Sequence, residues 1–168
     1  RAWSLEEELD FADRIKDCTI EYIEEPLADP HELMTFYEQT GIPYALDETF
    51  VARDAPTEIF EGAAACIWKP TLLHFPGIGG QLSAKNFEVP VHRLVLSAAF
   101  ESGVGIAALA QYAAAYASPE TPIGLDTYSM LAGDVLEDRL TFKGGMIDVN
   151  DAVAKSMCVL EDKLQRCP

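Results

Sequence analysis

Basic residues are scarce in this chain. Lys and Arg together number 12 against 28 Asp and Glu, which gives a formal charge of −16 over 168 residues. Such an acidic surface repels the phosphate backbone, so the composition excludes nucleic acid as a partner. It equally disfavours a role at a lipid surface, whereas a small ligand carried by a bound cation is compatible with the charge.

Long apolar runs and paired cysteines are also lacking. The longest weakly polar stretch, residues 104–117, is too short to span a bilayer and is typical of a buried helix. The four cysteines show no CxxC or Cys/His spacing, so we predict neither a zinc site nor a disulfide framework, and a reducing compartment is favoured. The chain begins at Arg1 with no signal-like segment, and we expect it to be part of a longer protein.

The chain does contain three short apolar runs that each end on a charged residue. The end residues Glu24, Asp47 and Lys69 are about 22 to 23 positions apart, roughly the length of one strand, one helix and two short loops. In a (β/α) barrel the carboxyl ends of neighbouring strands converge on one face. The spacing therefore predicts an α/β fold with a functional site at those strand ends.

Alternating helices and strands are predicted along most of the chain. Helices are predicted over residues 5–17, with Ser4 as N-cap, 29–40, closed by Gly41, 54–61, 106–116 and 151–165. Strands are predicted over residues 20–24, 43–47, 65–69, 93–98 and 122–125, with a hairpin over 140–149 that turns on Gly144-Gly145. Residues 73–88 are irregular and accommodate at most a short helix. Five parallel strands make a partial TIM-type barrel, because closure needs eight βα units.

Glu24 and Asp47 form the candidate metal site. Side chains alternate along a strand, so both carboxylates lie on the barrel-facing side if the apolar residues two positions earlier do. Two unpaired carboxylates repel each other, and a hard divalent cation such as Mg²⁺ removes that conflict. Each acid taken alone is better explained as a structural cap or a solvated residue. The pair at barrel spacing is what favours the metal site.

Glu25 and Glu48 alternate to the opposite side, where we expect them to pair with loop amides or basic groups. We predict that Glu48 reaches Lys69 and holds it charged and oriented. A lysine at the end of an apolar strand is costly to bury unless it is paired or functional, and the sequence leaves both roles open.

The small residues from Ser97 to Gly105 join the predicted fourth strand to a helix. Such a turn leaves backbone N–H groups free to bind a substrate carboxylate. Close packing of helix on strand explains the glycines equally well.

Several strings of the sequence, read in order, resemble a known family. They are Tyr22-Ile23-Glu24-Glu25-Pro26-Leu27, Ala45-Leu46-Asp47-Glu48-Thr49, Trp68-Lys69-Pro70-Thr71-Leu72-Leu73, Ser97-Ala98-Ala99-Phe100-Glu101-Ser102-Gly103 and Gly124-Leu125-Asp126-Thr127. Together they resemble barrel strands four to eight of the enolase superfamily, and of its o-succinylbenzoate synthase family in particular. The resemblance covers residues 1–142, so we predict a partial barrel domain over 1–142 and a hairpin end with a C-terminal helix over 143–168.

The resemblance implies roles for particular residues. Glu24 and Asp47 would be the second and third carboxylate ligands of Mg²⁺, and Lys69, oriented by Glu48, would be the lysine of the sixth strand. Ser97, with Ala98 in the same turn, would receive the succinyl carboxylate of the substrate, and Gly124 would line the pocket. The first metal ligand, the basic lysine pair of the second strand, the first barrel strands and the N-terminal capping domain are expected outside this chain, so the isolated segment would be inactive.

The reaction implied by the resemblance is a dehydration in menaquinone and phylloquinone biosynthesis. It would convert 2-succinyl-6-hydroxy-2,4-cyclohexadiene-1-carboxylate to o-succinylbenzoate, with Mg²⁺ stabilising the anion formed by proton removal. The alternatives are an N-acylamino acid racemase or dipeptide epimerase of the same superfamily, or a non-catalytic truncated barrel. The compartment would be the cytoplasm, or the plastid in a photosynthetic eukaryote.

Overall fold

The computed structural model describes residues 3–51, 59–72, 94–117 and 120–164, together with the backbone of 83–84 and 87–88. The chain divides into two compact units. Unit 1 comprises Arg1–Trp68 and Pro76–Leu94, and unit 2 comprises Lys69–Phe75 and Val95–Pro168. Within the described residues, no helix combines the length and apolar character that crossing a membrane requires.

The first helix of unit 1, α1 (Leu5–Arg14), begins where the sequence predicts. The Ser4 hydroxyl accepts from the Glu7 N–H at 3.4 Å, and the Glu7 carboxylate accepts from the Ser4 N–H at 2.9 Å. This reciprocal capping box satisfies two N–H groups that the helix itself leaves unpaired. The helix ends three residues before the predicted Asp17, because the backbone leaves the helical conformation at its C-cap Ile15, with φ of −103° and ψ of 8°. The chain continues as a turn in which the Cys18 N–H donates to the Ile15 carbonyl at 2.8 Å.

The second helix of unit 1 is also confirmed. The Asp29 carboxylate accepts from the His31 N–H at 2.9 Å, and a 3₁₀ turn over Pro30–Glu32 leads into α2 (Leu33–Thr40). Gly41 ends the helix with φ of +68°, a backbone conformation that glycine adopts without a steric penalty.

Three parallel strands in the order β1-β2-β3 form the sheet of unit 1. They are β1 (Ile23–Glu24), β2 (Tyr44–Leu46) and β3 (Ala63–Trp68). The register aligns Glu24 with Ala45 and Ala45 with Ala65, so these three positions form one row across the sheet. The strands lie where the sequence predicts, but β1 begins at Ile23 rather than residue 20, because the chain bends at residue 21. Its end at Glu24 is as predicted, and Glu25, with φ of +45°, turns the chain there.

Two short helices connect β2 to β3. The first, α3 (Glu48–Val51), was not predicted, and the second, α4 (Ile59–Gly62), is the end of the helix predicted over 54–61, whose start lies outside the described residues. The fully buried Tyr44 hydroxyl donates to the Ile59 carbonyl oxygen at 2.7 Å and so joins β2 to α4. This hydrogen bond satisfies a buried polar group on each element.

The irregular segment 73–88 contains two strands rather than a helix in its described part. Strands β4 (Ser83–Ala84) and β5 (Phe87–Glu88) pair antiparallel. The rest of the segment lies outside the described residues.

Unit 2 contains the most apolar helix, α5 (Gly103–Tyr116), which follows β6 (Leu94–Leu96). The helix begins three residues before the predicted Ile106, because the Asp134 carboxylate accepts from the Gly103 N–H at 2.9 Å and caps this end. The strand predicted over 122–125 is reduced to one parallel bridge between Ser97 and Gly124.

The C-terminal part of unit 2 confirms the predicted turn and corrects the predicted helix. Gly144 and Gly145 have φ of +59° and +75°, and Lys143 pairs with Met146 across them. The predicted helix over 151–165 is instead α6 (Val149–Ser156), followed by a 3₁₀ turn at Glu161–Lys163. The helix stops because the chain after it pairs with residues 135–137: the Glu137 N–H donates to the Cys158 carbonyl, and the Leu160 N–H donates to the Val135 carbonyl.

Candidate functional site

The two candidate metal ligands lie at the carboxyl ends of neighbouring strands in unit 1. Glu24 is the last residue of β1 and is exposed, and Asp47 directly follows β2 with 8% of its surface exposed. Asp47 stands two positions beyond Ala45, the residue that is aligned with Glu24. Both acids therefore lie at the same end of the sheet, as the alternation argument requires.

The carboxylate of Glu25 fixes the backbone that carries Asp47. One of its oxygens accepts from the Asp47 N–H at 2.7 Å and from the Thr49 N–H at 2.8 Å, and the other accepts from the Thr49 hydroxyl at 2.8 Å. Glu25 and Thr49 are 6% and 0% exposed. The prediction that Glu25 pairs with loop amides is confirmed, although the sequence did not indicate which ones.

Lys69 directly follows β3 and is half-buried, and the proline after it is fully buried. Glu48 is the exposed first residue of α3. Lys69 belongs to unit 2 and Glu48 to unit 1. The expected pairing of these two side chains stays a prediction.

The candidate substrate-binding residues of unit 2 are in contact with one another. The Ala98 N–H donates to the Gly124 carbonyl oxygen at 2.7 Å, and the Ser97 hydroxyl donates to the same oxygen at 3.2 Å. A Cβ on Gly124 would lie 2.7 Å from the Ser97 hydroxyl oxygen, which is closer than real Cβ contacts. This approach explains physically why glycine stands at position 124.

Several N–H groups of the Ser97–Gly105 turn are already bonded within the protein. The Ala99 N–H donates to the Glu101 carboxylate at 2.6 Å, and that carboxylate also accepts from the Thr71 hydroxyl. Phe100 between them has φ of +64° and an exposed ring, a strained conformation that such a turn maintains only when its neighbours fix it. The Glu101 carboxylate therefore fixes the backbone on both sides of Phe100.

Asp134 holds the other end of this turn. Besides the Gly103 N–H, it accepts a hydrogen bond from the Tyr128 hydroxyl. Burial raises the pKa of Asp134, but these hydrogen bonds outweigh it and the pKa is lowered overall. The pKa of Tyr128 is raised, first by burial and then by its hydrogen bond to Asp134. Sequence reasoning missed both Glu101 and Asp134, because nothing in their spacing indicates which N–H groups they reach.

The donor chemistry of unit 1 fits Mg²⁺. Oxygen ligands suit this hard cation, which is commonly held by one or two carboxylates together with water. Within the part of the chain that the structure describes, no group of three or more His, Cys, Asp or Glu side chains is arranged to hold a metal ion. Glu24 and Asp47 would thus supply only part of a coordination shell.

Comparison with known proteins identifies the family. A sequence model described as enolase C-terminal domain-like matches residues 1–153. The chain belongs to the enolase C-terminal domain-like family. Its fold is the partial (β/α) barrel that the sequence predicts, and the resemblance to o-succinylbenzoate synthases is confirmed by its relatives.

The relatives cover most of this chain but only part of their own length. The o-succinylbenzoate synthase of Aliivibrio fischeri strain MJ11 is 34% identical over 137 residues, which are 77% of this chain and 40% of that protein. Protein PHYLLO, chloroplastic, of Arabidopsis thaliana is 30% identical over 162 residues, 82% of this chain and 9% of that protein. The crystal structure of MenC from Desulfotalea psychrophila has a TM-score of 0.65 at 25% identity and covers 86% of this chain and 41% of its own.

This enolase-type chain therefore spans about two fifths of the length of the curated synthases that it matches. The family match supports an enzyme of the enolase superfamily, a group that generally uses Mg²⁺. The roles of the individual site residues stay predictions.

Proposed function

We propose that the protein containing this chain converts 2-succinyl-6-hydroxy-2,4-cyclohexadiene-1-carboxylate to o-succinylbenzoate. The observation that carries this proposal is the 34% identity to an o-succinylbenzoate synthase over 137 residues. The polar Ser97 hydroxyl, beside the Gly124 carbonyl at 3.2 Å, supports it, because a substrate with two carboxylates needs a polar subsite for each of them.

In the proposed reaction, Glu24 and Asp47 would hold Mg²⁺ through their carboxylate oxygens, and the ion would supply positive charge to the ring carboxylate of the substrate when bound. Lys69 offers its ammonium group to the anion that forms when the proton α to that carboxylate is removed. Departure of the ring hydroxyl as hydroxide then makes the ring aromatic, and the net loss is one water.

The remaining residues orient the substrate. The Ser97 hydroxyl, close to Gly124, binds the succinyl carboxylate, and Glu48 orients Lys69. Because the chain spans 40% of the related synthase, we propose that the base, the first metal ligand, the first barrel strands and the capping domain are supplied from outside residues 1–168. The segment alone would be inactive. The protein would be located in the cytoplasm, or in the plastid if it comes from a photosynthetic eukaryote. The chloroplastic Arabidopsis relative supports the plastid location in that case.

Complementation tests the proposal. The complete gene should restore growth of a bacterial strain that cannot make o-succinylbenzoate, and Lys69→Ala should abolish the rescue. Lys16→Ala is the matched control, because Lys16 is exposed and pairs only with a surface aspartate at 3.0 Å among its described contacts. Failure of the wild-type gene, combined with deuterium exchange at the α carbon of N-acylamino acids by the purified protein, would favour a racemase instead.

A further inference from the structure

A single side chain links the two candidate metal ligands. Glu25 is covalently joined to Glu24, and its carboxylate binds the N–H of Asp47 at 2.7 Å. Its own N–H donates to the Ala45 carbonyl at 2.9 Å, which extends the ladder between β1 and β2 one residue past the strand. Glu25 thus holds the end of β1 and the end of β2 at the same time.

The backbone of Glu25 is strained in this arrangement. Its φ of +45° lies in the left-handed region, where a Cβ comes too close to the following carbonyl oxygen. Strain of this kind persists only where the surrounding contacts determine the conformation. Here the buried carboxylate supplies them, because it accepts three hydrogen bonds from the residues that follow β2.

The acceptor geometry restricts what the loop after β2 can do. Both N–H groups bound by one Glu25 oxygen belong to alternate residues, Asp47 and Thr49, so the loop is held at two points. The Asp47 carbonyl in turn accepts from the Phe50 N–H at 3.1 Å and starts the short helix α3. Without the Glu25 carboxylate, two buried N–H groups would lose a partner, and the loop would have to rearrange to satisfy them.

We propose that Glu25 is a positioning residue that sets the separation and direction of the Glu24 and Asp47 carboxylates. It acts through the loop that it binds, with no direct part in holding the metal or the substrate. This inference rests on the proposed role of Glu24 and Asp47 as metal ligands. Partners that orient ligands in this way typically contribute about 10- to 100-fold to metal affinity.

Three substitutions separate the hydrogen bonds from the strain. Glu25→Gln keeps an oxygen acceptor of the same length for the two N–H groups. Glu25→Ala removes the acceptor and keeps the strain, and Glu25→Gly removes both. Glu8→Gln is the matched control, because Glu8 is another buried acid of unit 1, 1% exposed, on helix α1.

The experiment measures two quantities in the complete protein. Hydrogen exchange of the Asp47 and Thr49 amides reports on positioning, and the Mn²⁺ dissociation constant, followed by electron paramagnetic resonance, reports on the site. We expect faster exchange and about 10- to 100-fold weaker Mn²⁺ binding in Glu25→Ala and Glu25→Gly. Glu25→Gln and Glu8→Gln should stay near the wild type in both.

Other results would overturn the inference. Unchanged amide exchange in a folded Glu25→Ala would show that Glu25 does not fix the loop, and changed exchange with unchanged Mn²⁺ affinity would show that the loop does not set the site. If Glu25→Ala fails to fold, Thr49→Val removes one of the three hydrogen bonds and should give smaller changes in the same direction, and unchanged values would refute the inference. A wild-type protein that binds no Mn²⁺ would instead refute the metal-binding role of Glu24 and Asp47, and the inference with it.

Discussion

Removing the Tyr44 hydroxyl should change stability in opposite directions at neutral and alkaline pH. The hydroxyl is buried and donates to the Ile59 carbonyl at 2.7 Å. At neutral pH, Tyr44→Phe leaves this carbonyl without that donor, which should cost about 1 to 2 kcal/mol of unfolding free energy.

The alkaline effect follows from the pKa of Tyr44. Burial, together with the nearby Cys66 and Tyr37, raises this pKa from 10.0 to about 12. Between these values the unfolded chain loses the phenol proton while the folded chain keeps it, so stability falls as the pH rises from about 10 to about 12. The expected loss is about 1.4 kcal/mol at about pH 11 and about 2.7 kcal/mol once both states are ionised.

Urea unfolding of the two proteins at a series of pH values measures this difference. Groups that titrate at alkaline pH and do not interact with Tyr44 are common to both proteins and cancel in the comparison. We expect the wild type to be more stable at about pH 8 and Tyr44→Phe to be the more stable protein above roughly pH 11. Two stability curves that stay parallel up to about pH 12 would refute the assignment of a buried, proton-donating Tyr44.

Further predictions concern the substrate turn, a helix cap and the proposed lysine. Gly103→Ala should destabilise the protein by about 1 to 3 kcal/mol in thermal unfolding, because a Cβ there would lie 2.4 Å from both an Asp134 oxygen and a Leu136 methyl carbon. Gly133→Ala, where a Cβ meets nothing within 4 Å, is its control, and equal melting temperatures would argue against the close packing of α5 on Leu136. Ser4→Ala should cost about 1 kcal/mol in urea unfolding through loss of the capping box, whereas a change below about 0.2 kcal/mol would show that the cap contributes little. Lys69→Ala should lower kcat of the complete protein by about 10²- to 10³-fold, and a normal kcat would remove Lys69 from the reaction.

The sequence predicts elements best where a local signal defines both ends. Asp29-Pro30 starts the 3₁₀ turn that leads into α2, and Gly41 ends α2, as the sequence predicts. Helix α3 is absent from the prediction because Thr49, Phe50 and Val51 are residue types that favour strands. The last helix was predicted too long because pairing of residues 158–160 with 135–137 is non-local.

In the candidate site, too, the features with a local sequence signal are predicted and those set by non-local contacts are not. The spacing of Glu24, Asp47 and Lys69 indicates strand ends, and the structure has strands ending at or just before each of them. The positive φ of Glu25, however, has no signal in the sequence, since it results from hydrogen bonds to residues more than twenty positions away. The closure of the Ser97 turn by Asp134 is missed for the same reason.

The most direct test is the conversion of the cyclohexadiene substrate to o-succinylbenzoate by the purified complete protein. We predict Mg²⁺-dependent conversion that a chelator stops and that added Mg²⁺ restores. Asp47→Asn should lower the rate at least about 100-fold while the protein stays folded. The assignment of Glu24 and Asp47 as metal ligands would be contradicted if conversion continued in the presence of the chelator. It would also be contradicted if the Asp47→Asn variant converted the substrate at the wild-type rate.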